Sequence, residues 1–125
     1  MEDNELTSIV IECATKVHKT LGPGLLESAY KNCLHYELVK NELFVEKEKA
    51  LPLIYEDVKL DCGYRIDLLV ENQIVVEIKC VDALNDIHLA QILTYLRLTN
   101  NRIGLLLNFN VLKLINGIKR VPNGY

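Results

Sequence analysis

The stretch that decides the fold is Tyr64–Lys79, which reads YRIDLLVENQIVVEIK. Its alternation of apolar and polar residues indicates two short strands joined by a tight turn. Side chains alternate between the two faces of a strand, so Glu77 and Lys79 share one face while Ile78 points to the other. Charged groups within Val, Ile and Leu runs are costly to desolvate unless they are paired or hold a metal. The stretch therefore predicts a β-hairpin that carries a metal-dependent hydrolytic site.

The turn between these two strands sets which side chains face each other. A two-residue turn would put Asp67 on the face away from Glu77. A three-residue turn at 71–73 pairs Val70 with Ile74 and segregates apolar from charged side chains, so we expect this register. It predicts the apolar pairs Leu68–Val76 and Ile66–Ile78 and the charged pairs Asp67–Glu77 and Arg65–Lys79. Two opposed carboxylates are destabilising without a compensating cation, which again favours a metal.

Size and composition are those of a small globular domain. The 125 residues suit a single domain at 1–125, with half of the residues apolar and a quarter charged. No apolar run is long enough to span a bilayer, and the acidic N-terminus lacks the features of a signal peptide. We therefore expect a cytoplasmic protein without a membrane partner. The four cysteines are widely spaced, which favours small apolar side chains over a zinc site.

Hydrophobic periodicity predicts three helices and a mixed sheet. The helices are expected at about 5–20, 25–41 and 85–100, with Asn4 capping the first and Asn85 or Asp86 capping the third. The strands are expected at about 44–49, 51–58, 103–107, 111–115 and 118–121, besides the hairpin within 60–79, with a turn at 116–117. The order ααβββ(β)αββ indicates an α/β (α+β) fold in which helices flank a mixed β-sheet.

Glu27 is predicted to face the body of the protein. On a helical wheel it falls inside the apolar arc of the second helix. That arc holds Leu26, Tyr30, Cys33, Leu34 and Leu38, and the polar back of the helix holds Ser28, Lys31, Asn32 and His35. Glu27 therefore either joins the acids of the hairpin or forms a structural ion pair with Arg65 or Lys79. Tyr30 lies one turn after Glu27 and is expected to pack beside the site.

A polar stripe runs along the third helix, formed by His88, Gln91, Tyr95 and Thr99. Gln91 and Tyr95 either line the site or are simple neighbours on the helix surface. His88 either touches substrate or lies at the surface. Arg65, on the first strand of the hairpin, either binds a phosphate or counters the charge of a neighbouring acid. Arg65, His88 and Tyr30 are thus the candidate substrate-binding residues.

Glu27, Asp67, Glu77 and Lys79 together have the composition of a metal-dependent hydrolytic site. Mg²⁺ prefers oxygen ligands and keeps several waters, so two or three carboxylates suit it. Such a metal lowers the pKa of a bound water and neutralises charge on a scissile phosphate. Lys79 projects the same way as Glu77, about 6.6 Å further along the strand. It is therefore placed to orient the attacking water or to stabilise developing charge.

These motifs resemble a known group of enzymes. Asp67 followed by Glu77-Ile78-Lys79 resembles the D…ExK signature of the PD-(D/E)xK nuclease superfamily. Residues 91–95, QILTY, resemble the QxxxY motif of its RecB-like exonuclease branch. Residues 24–30, GLLESAY, match the motif that names the small bacterial GxxExxY family within this superfamily. The resemblance spans about residues 6–120, with the three motifs in compatible order.

The resemblance implies a restriction-endonuclease-like fold and hydrolysis of phosphodiester bonds with Mg²⁺ or Mn²⁺. Glu27, Asp67 and Glu77 would be metal ligands and Lys79 the catalytic lysine. Gln91 and Tyr95 would line the site and meet Lys79 or the substrate phosphate. The expected partner is a nucleic acid, DNA in the first instance, and a symmetric homodimer is the expected assembly.

Two other functions stay open on the sequence alone. The net charge of −3 is unusual for a protein that binds nucleic acid, although bound divalent cations would offset it. A non-catalytic nucleic-acid-binding or assembly module that keeps the nuclease fold is therefore the alternative. A hydrolase of small phosphate esters is the third reading, because no broad basic surface is evident.

Overall fold

The computed structural model describes residues 1–124, which form three α-helices, one short 3₁₀ helix and seven strands. The helices are α1 (Asp3–Leu21), α2 (Glu27–Lys40) and α3 (Asp86–Thr99), with the 3₁₀ helix at Leu114–Gly117. The strands are β1 (Val45–Ala50), β2 (Leu53–Tyr55), β3 (Val58–Leu60), β4 (Arg65–Val70), β5 (Ile74–Lys79), β6 (Ile103–Asn108) and β7 (Ile118–Pro122). The predicted mixed sheet flanked by helices is confirmed.

Five strands form the main sheet in the order β1-β4-β5-β6-β7. Strands β5 and β6 pair in parallel, and every other neighbouring pair is antiparallel. Helix α3 makes the crossover between the two parallel strands, as such a connection requires. Both central strands are buried on both faces, which explains their nearly continuous apolar sequences.

The sheet separates two apolar layers. One layer packs α1 and α2 against one face, and it includes Leu6, Val10, Leu34, Val76 and Leu105. The other packs α3 against the opposite face, and it includes Leu69, Val75, Ile92, Leu96 and Leu106. The cysteines are all free, and Cys13, Cys33 and Cys80 lie in or against the first layer. The two layers hold the ends of β4 and β5 firmly in place.

The hairpin of β4 and β5 has the predicted register. Val70 pairs with Ile74 and Leu68 with Val76, across a loop at residues 71–73. Asn72 lies in the left-handed region at a φ of 54°, which asparagine tolerates well. Regular pairing stops at the Leu68–Val76 pair, although both strands continue.

Beyond that pair, the alternation of β4 differs from the prediction. Ile66 packs with Leu69 and Val75 on the α3 side, whereas Leu68 packs on the other side. The prediction that Ile66 shares a face with Leu68 and is paired with Ile78 is therefore wrong, because Ile78 also packs on that other side. The predicted pair of Arg65 with Lys79 does not form in the ladder either. The reason is a distortion at Asp67, where the side chains of Asp67 and Glu77 accept the backbone hydrogen bonds that a regular ladder would use. On the other neighbouring strand, β1, Glu48 has a left-handed φ of 54°.

Several predicted boundaries are also corrected. The expected strand at 51–58 is split into the separate two-stranded hairpin β2–β3, because residues 56–57 make a left-handed turn. The expected strand at 111–115 does not form, since β5 and β7 already occupy both edges of β6, and the 3₁₀ helix takes up the 116–117 turn. Asn4 does not cap α1, which begins at Asp3, and its side chain accepts a hydrogen bond from Arg120 instead.

Candidate functional site

Asp67 and Glu77 meet where regular pairing of β4 and β5 stops. The backbone N–H of Asp67 donates to Oε2 of Glu77 at 2.8 Å, and the N–H of Ile78 donates to Oδ2 of Asp67 at 2.8 Å. Each carboxylate thus replaces a ladder bond of the opposite strand. This reciprocal arrangement fixes both side chains at the end of the hairpin and brings the two acids together, although the regular register predicted from the turn ends one pair earlier, at Leu68 and Val76.

The surroundings of the two carboxyl groups disfavour their ionised forms. Glu77 is only 3% exposed, and burial together with the charge of Asp67 raises the pKa of Glu77 to about 8. Burial also raises the pKa of Asp67, and the N–H of Ile78 and the ammonium groups of Lys31 and Lys79 offset that increase only in part. A cation placed between these groups would therefore stabilise their ionised forms.

Lys79 lies two residues after Glu77 and is held by helix α3. Its ammonium group donates to Oε1 of Gln91 at 3.0 Å. Gln91 is in the second turn of α3, on the side that packs over β5. The structure thus brings Lys79 and Gln91 together, and the amide oxygen fixes where the ammonium group points.

Tyr95 lies one helical turn after Gln91 and is 5% exposed. Burial, followed by the charge of Glu77, raises the pKa of Tyr95 to about 12, with smaller contributions from Tyr64 and Asp67. Within residues 1–124 its hydroxyl group makes no hydrogen bond, yet it keeps some contact with solvent. The structure therefore places a protonated, unpartnered hydroxyl donor beside the carboxylate pair.

Lys31 is the site residue that sequence reasoning missed, because it was assigned to the polar back of α2. Its ammonium group lies 4.0 Å from Oδ1 of Asp67 and 3.1 Å from Oε1 of Glu48, with the side chain 17% exposed. The available signal was its spacing: Lys31 follows Glu27 by four residues and so shares its helix face. Because the two side chains share this face, a rotation of α2 that turns Glu27 inward also turns Lys31 toward the sheet.

Glu27 itself does not complete a three-carboxylate cluster in this structure. It is exposed to solvent, so the prediction that it faces the body of the protein is wrong: Glu27 is the first residue of α2, at the exposed end of the apolar arc. Its charge contributes to the raised pKa of Asp67, so it lies within electrostatic range of the pair. Among residues 1–124, however, no three His, Cys, Asp or Glu side chains are grouped closely enough to hold a metal ion. Two of the three expected acids meet, and Lys31 lies next to Asp67.

Tyr30 is fully buried and acts on the loop before α2. Its hydroxyl group donates to the carbonyl of Gly22 at 2.6 Å and accepts from the N–H of Leu25 at 3.1 Å. Its ring stacks on Phe109 with centroids 4.5 Å apart. Tyr30 therefore packs in the core, as expected. It cannot contact substrate, because its side chain is enclosed by the core. Its contacts fix the start of α2, and hence Glu27.

The remaining two candidates lie outside the carboxylate pair. Arg65 is exposed, and its guanidinium group donates to the carbonyl of Tyr64 at 2.8 Å rather than to Glu77. His88 closes the capping box of α3, where its Nδ1 accepts from the N–H of Asn85 at 3.1 Å. The predicted cap at Asn85 is confirmed, and the capping contact accounts for the position of His88.

The raised pKa of Glu77 gives a prediction for stability without metal. The folded protein keeps a proton that the unfolded chain releases near its ordinary pKa of 4.5. The contribution of Glu77 to the free energy of unfolding is therefore full below about pH 4.5 and is lost as the pH rises to about 8. Urea unfolding in EDTA at a series of pH values measures this decrease.

The isosteric variant Glu77→Gln is expected to remove most of that pH dependence, because it replaces the titrating group with a neutral acceptor. Asp67 titrates in the same direction and leaves a residual slope. Glu12→Gln, an exposed substitution on α1, is the matched control. A pH dependence in Glu77→Gln as steep as in the wild type would contradict the assignment of the slope to Glu77.

Comparison with known families agrees with the geometry. Residues 4–121 match the sequence profile of the PD-(D/E)XK nuclease superfamily. The chain therefore belongs to this superfamily, and its mixed sheet flanked by helices is consistent with a restriction-endonuclease-like fold. Comparisons with curated proteins and with solved structures gave no match. None of the helices within residues 1–124 combines the length and the apolar character needed to cross a membrane.

Proposed function

We propose that this protein is a divalent-metal-dependent nuclease that hydrolyses phosphodiester bonds, with DNA as its substrate. The observation that carries the proposal is the pair of the buried Glu77 and the partly buried Asp67, with Lys79 alongside, at the end of the β4–β5 hairpin. Superfamily membership supports nuclease chemistry at a general level. The choice of DNA and of Mg²⁺ or Mn²⁺ is our extension of that support.

The residues present fit a hard divalent cation. Asp67 and Glu77 supply carboxylate oxygens, which Mg²⁺ and Mn²⁺ prefer. Their raised pKa values reflect burial first and, for Glu77, the neighbouring charge of Asp67, so a bound cation would favour the ionised forms. Glu27, which is exposed at the start of α2 and does not form a cluster with the pair in the structure, is the proposed third ligand and would turn toward the pair when the cation binds. The metal would supply an activated water at neutral pH and neutralise charge on the phosphate.

Lys79, Lys31 and Tyr95 then act on the substrate. Lys79, whose ammonium group is oriented by Gln91, is the proposed donor to the attacking water or to the phosphate oxygen that gains charge. Lys31 approaches from α2 and supplies a second positive charge near Asp67. The free hydroxyl group of Tyr95 is a further donor toward the phosphate. Donors fixed in advance cost little reorganisation during the reaction.

The loop before α2 supports assignment to the GxxExxY branch of the superfamily. Gly24 has a φ of 99°, which favours glycine over residues with a side chain. Glu27 begins the helix, and Tyr30 anchors the loop through Gly22 and Leu25. Gly24 and Tyr30 thus fix the loop and the start of α2, and this placement keeps Glu27 on the side of the hairpin site.

Removal of metal tests this proposal directly. End-labelled single-stranded DNA, duplex DNA and RNA are incubated with the purified protein in Mg²⁺, in Mn²⁺ and in EDTA. We expect cleavage products in the presence of metal, loss of cleavage in EDTA, and recovery when excess metal is restored. Cleavage that persists in EDTA, or its absence from all substrates with both metals, would contradict the proposed function.

A further inference from the structure

A groove of about 300 Å³ opens beside the proposed nuclease site. It lies between α3 and the segments that flank the β2–β3 hairpin, and its walls are mainly apolar. The residues that matter for its chemistry are Leu51, Leu53, Tyr64, Ile87, Gln91 and Tyr95. Gln91 and Tyr95 belong both to this groove and to the site around Lys79, so the two are continuous.

Two aromatic rings line the groove with their planes inclined by 64°, and the exposed one is that of Tyr64. Tyr64 is 45% exposed, and its ring meets that of Tyr95 edge to face with centroids 6.3 Å apart. An edge contact occupies little of an aromatic face, so part of the Tyr64 ring stays available for stacking. Leu51 and Ile87 add apolar surface on either side. This combination suits a planar, weakly polar group.

Polar groups are available where the groove meets the site. Oε1 of Gln91 accepts from Lys79, which leaves the amide N–H groups of Gln91 free to donate elsewhere. The hydroxyl group of Tyr95 makes no hydrogen bond within residues 1–124 and reaches solvent, although the residue as a whole is only 5% exposed. It can therefore donate to a ligand that replaces the solvent. A group that enters the groove can therefore be recognised at its polar edge.

We propose that this groove binds the unpaired base of a nucleotide next to the scissile phosphate, so that the protein acts on single-stranded or frayed nucleic acid. The inference rests on the proposed nuclease function, because the groove adjoins that site. An aromatic platform recognises bases through stacking, and every base has a suitable face. In a duplex, neighbouring bases cover that face, and the base would first have to leave the stack. The groove thus selects for unpaired strands.

Binding of fluorescent oligothymidine 12-mers, measured by anisotropy with Ca²⁺ in place of Mg²⁺ to prevent cleavage, tests the groove. Tyr64→Ala is expected to raise the Kd by about 5- to 100-fold, which corresponds to the loss of one stacked base. Tyr64→Phe keeps the ring and is expected to bind within about twofold of the wild type. Tyr36→Ala removes an exposed tyrosine from α2 and is the matched control.

Two further substrates sharpen the test. An abasic 12-mer is expected to bind the wild type and Tyr64→Ala equally, and a blunt duplex is expected to bind the wild type more weakly than the single strand. Equal binding of the 12-mer by wild type and Tyr64→Ala, or tighter binding of the duplex, would overturn the groove as a base site. Thermal unfolding of each variant checks that the fold is intact, as we expect for substitutions at the half-exposed Tyr64.

The outcomes separate this inference from the proposed function. Metal-dependent cleavage that is insensitive to Tyr64→Ala would refute the groove and leave the nuclease function standing. Binding that depends on Tyr64, without cleavage in any metal, would refute the nuclease function and support the groove. Failure of the wild type to bind any of the three oligonucleotides would overturn both.

Discussion

Asp67→Asn is expected to lower the rate of DNA hydrolysis at least about 10³-fold, as befits the loss of several kcal/mol of metal-based stabilisation. The amide keeps an oxygen that can accept from the N–H of Ile78, so the local geometry is retained. It loses the negative charge that a divalent cation requires. Single-turnover cleavage of labelled DNA in Mg²⁺ measures the rate, and Asp61→Asn, in the exposed loop before β4, is the control.

The same substitution carries a second, opposite expectation. Without metal, Asp67→Asn should increase the free energy of unfolding at pH 8, because it removes repulsion between two neighbouring buried carboxylates. A gain in stability together with a loss of activity is typical of a residue kept for function. If activity survived the substitution, or if activity and stability were lost together, Asp67 would be a structural residue and the site would lie elsewhere.

Lys79→Met is expected to lower kcat by about 10²–10³-fold, whereas metal affinity is expected to rise modestly, because the charge of Lys79 also acts on both carboxyl groups. The thioether side chain keeps much of the apolar stem but cannot donate to a water or a phosphate. Its partner Gln91 loses the contact at 3.0 Å, which affects orientation within the site but not the core. Rapid-quench kinetics give kcat, and calorimetric titration with Mn²⁺ gives the metal affinity.

Lys31→Met tests whether the two lysines of the site have different roles. Lys31 lies 4.0 Å from Asp67, so its removal is expected to tighten binding of a divalent cation and weaken binding of DNA. Lys59→Met, on exposed β3, is the matched control for loss of a surface charge. Identical effects of Lys79→Met and Lys31→Met on kcat and on metal affinity would contradict the separate roles proposed for them.

The hairpin shows how far local patterning predicts a structure. A turn at 71–73 was enough to fix Val70 opposite Ile74 and Leu68 opposite Val76, because a one-residue slip would exchange the two faces of each strand. The same rule failed for Ile66. There the carboxylates of Asp67 and Glu77 replace ladder bonds, and the strict alternation that the rule assumes is interrupted.

The helix that carries Glu27 shows the opposite limit. A helical wheel places residues relative to one another, but the direction in which α2 packs depends on β1 and β4. In the structure Lys31 lies between Glu48 and Asp67, contacts with residues 17 and 36 positions away, and Glu27 faces solvent beside them. The wheel could not tell whether Glu27 or Lys31 faces the sheet, because a small rotation of α2 about its axis exchanges the apolar arc with its polar flanks.

The sequence by itself determined the three helices, the strands of the main sheet, the register of the hairpin near its turn, and the presence of Asp67, Glu77 and Lys79 on the half of the hairpin away from that turn. These features depend on the backbone periodicity of each element, which adjacent residues encode. Only the tertiary structure decided that Lys31 approaches Asp67, that Gln91 holds Lys79, and that a groove continues past Tyr95. Those contacts join elements that are distant along the chain, so they follow from how the helices pack on the sheet.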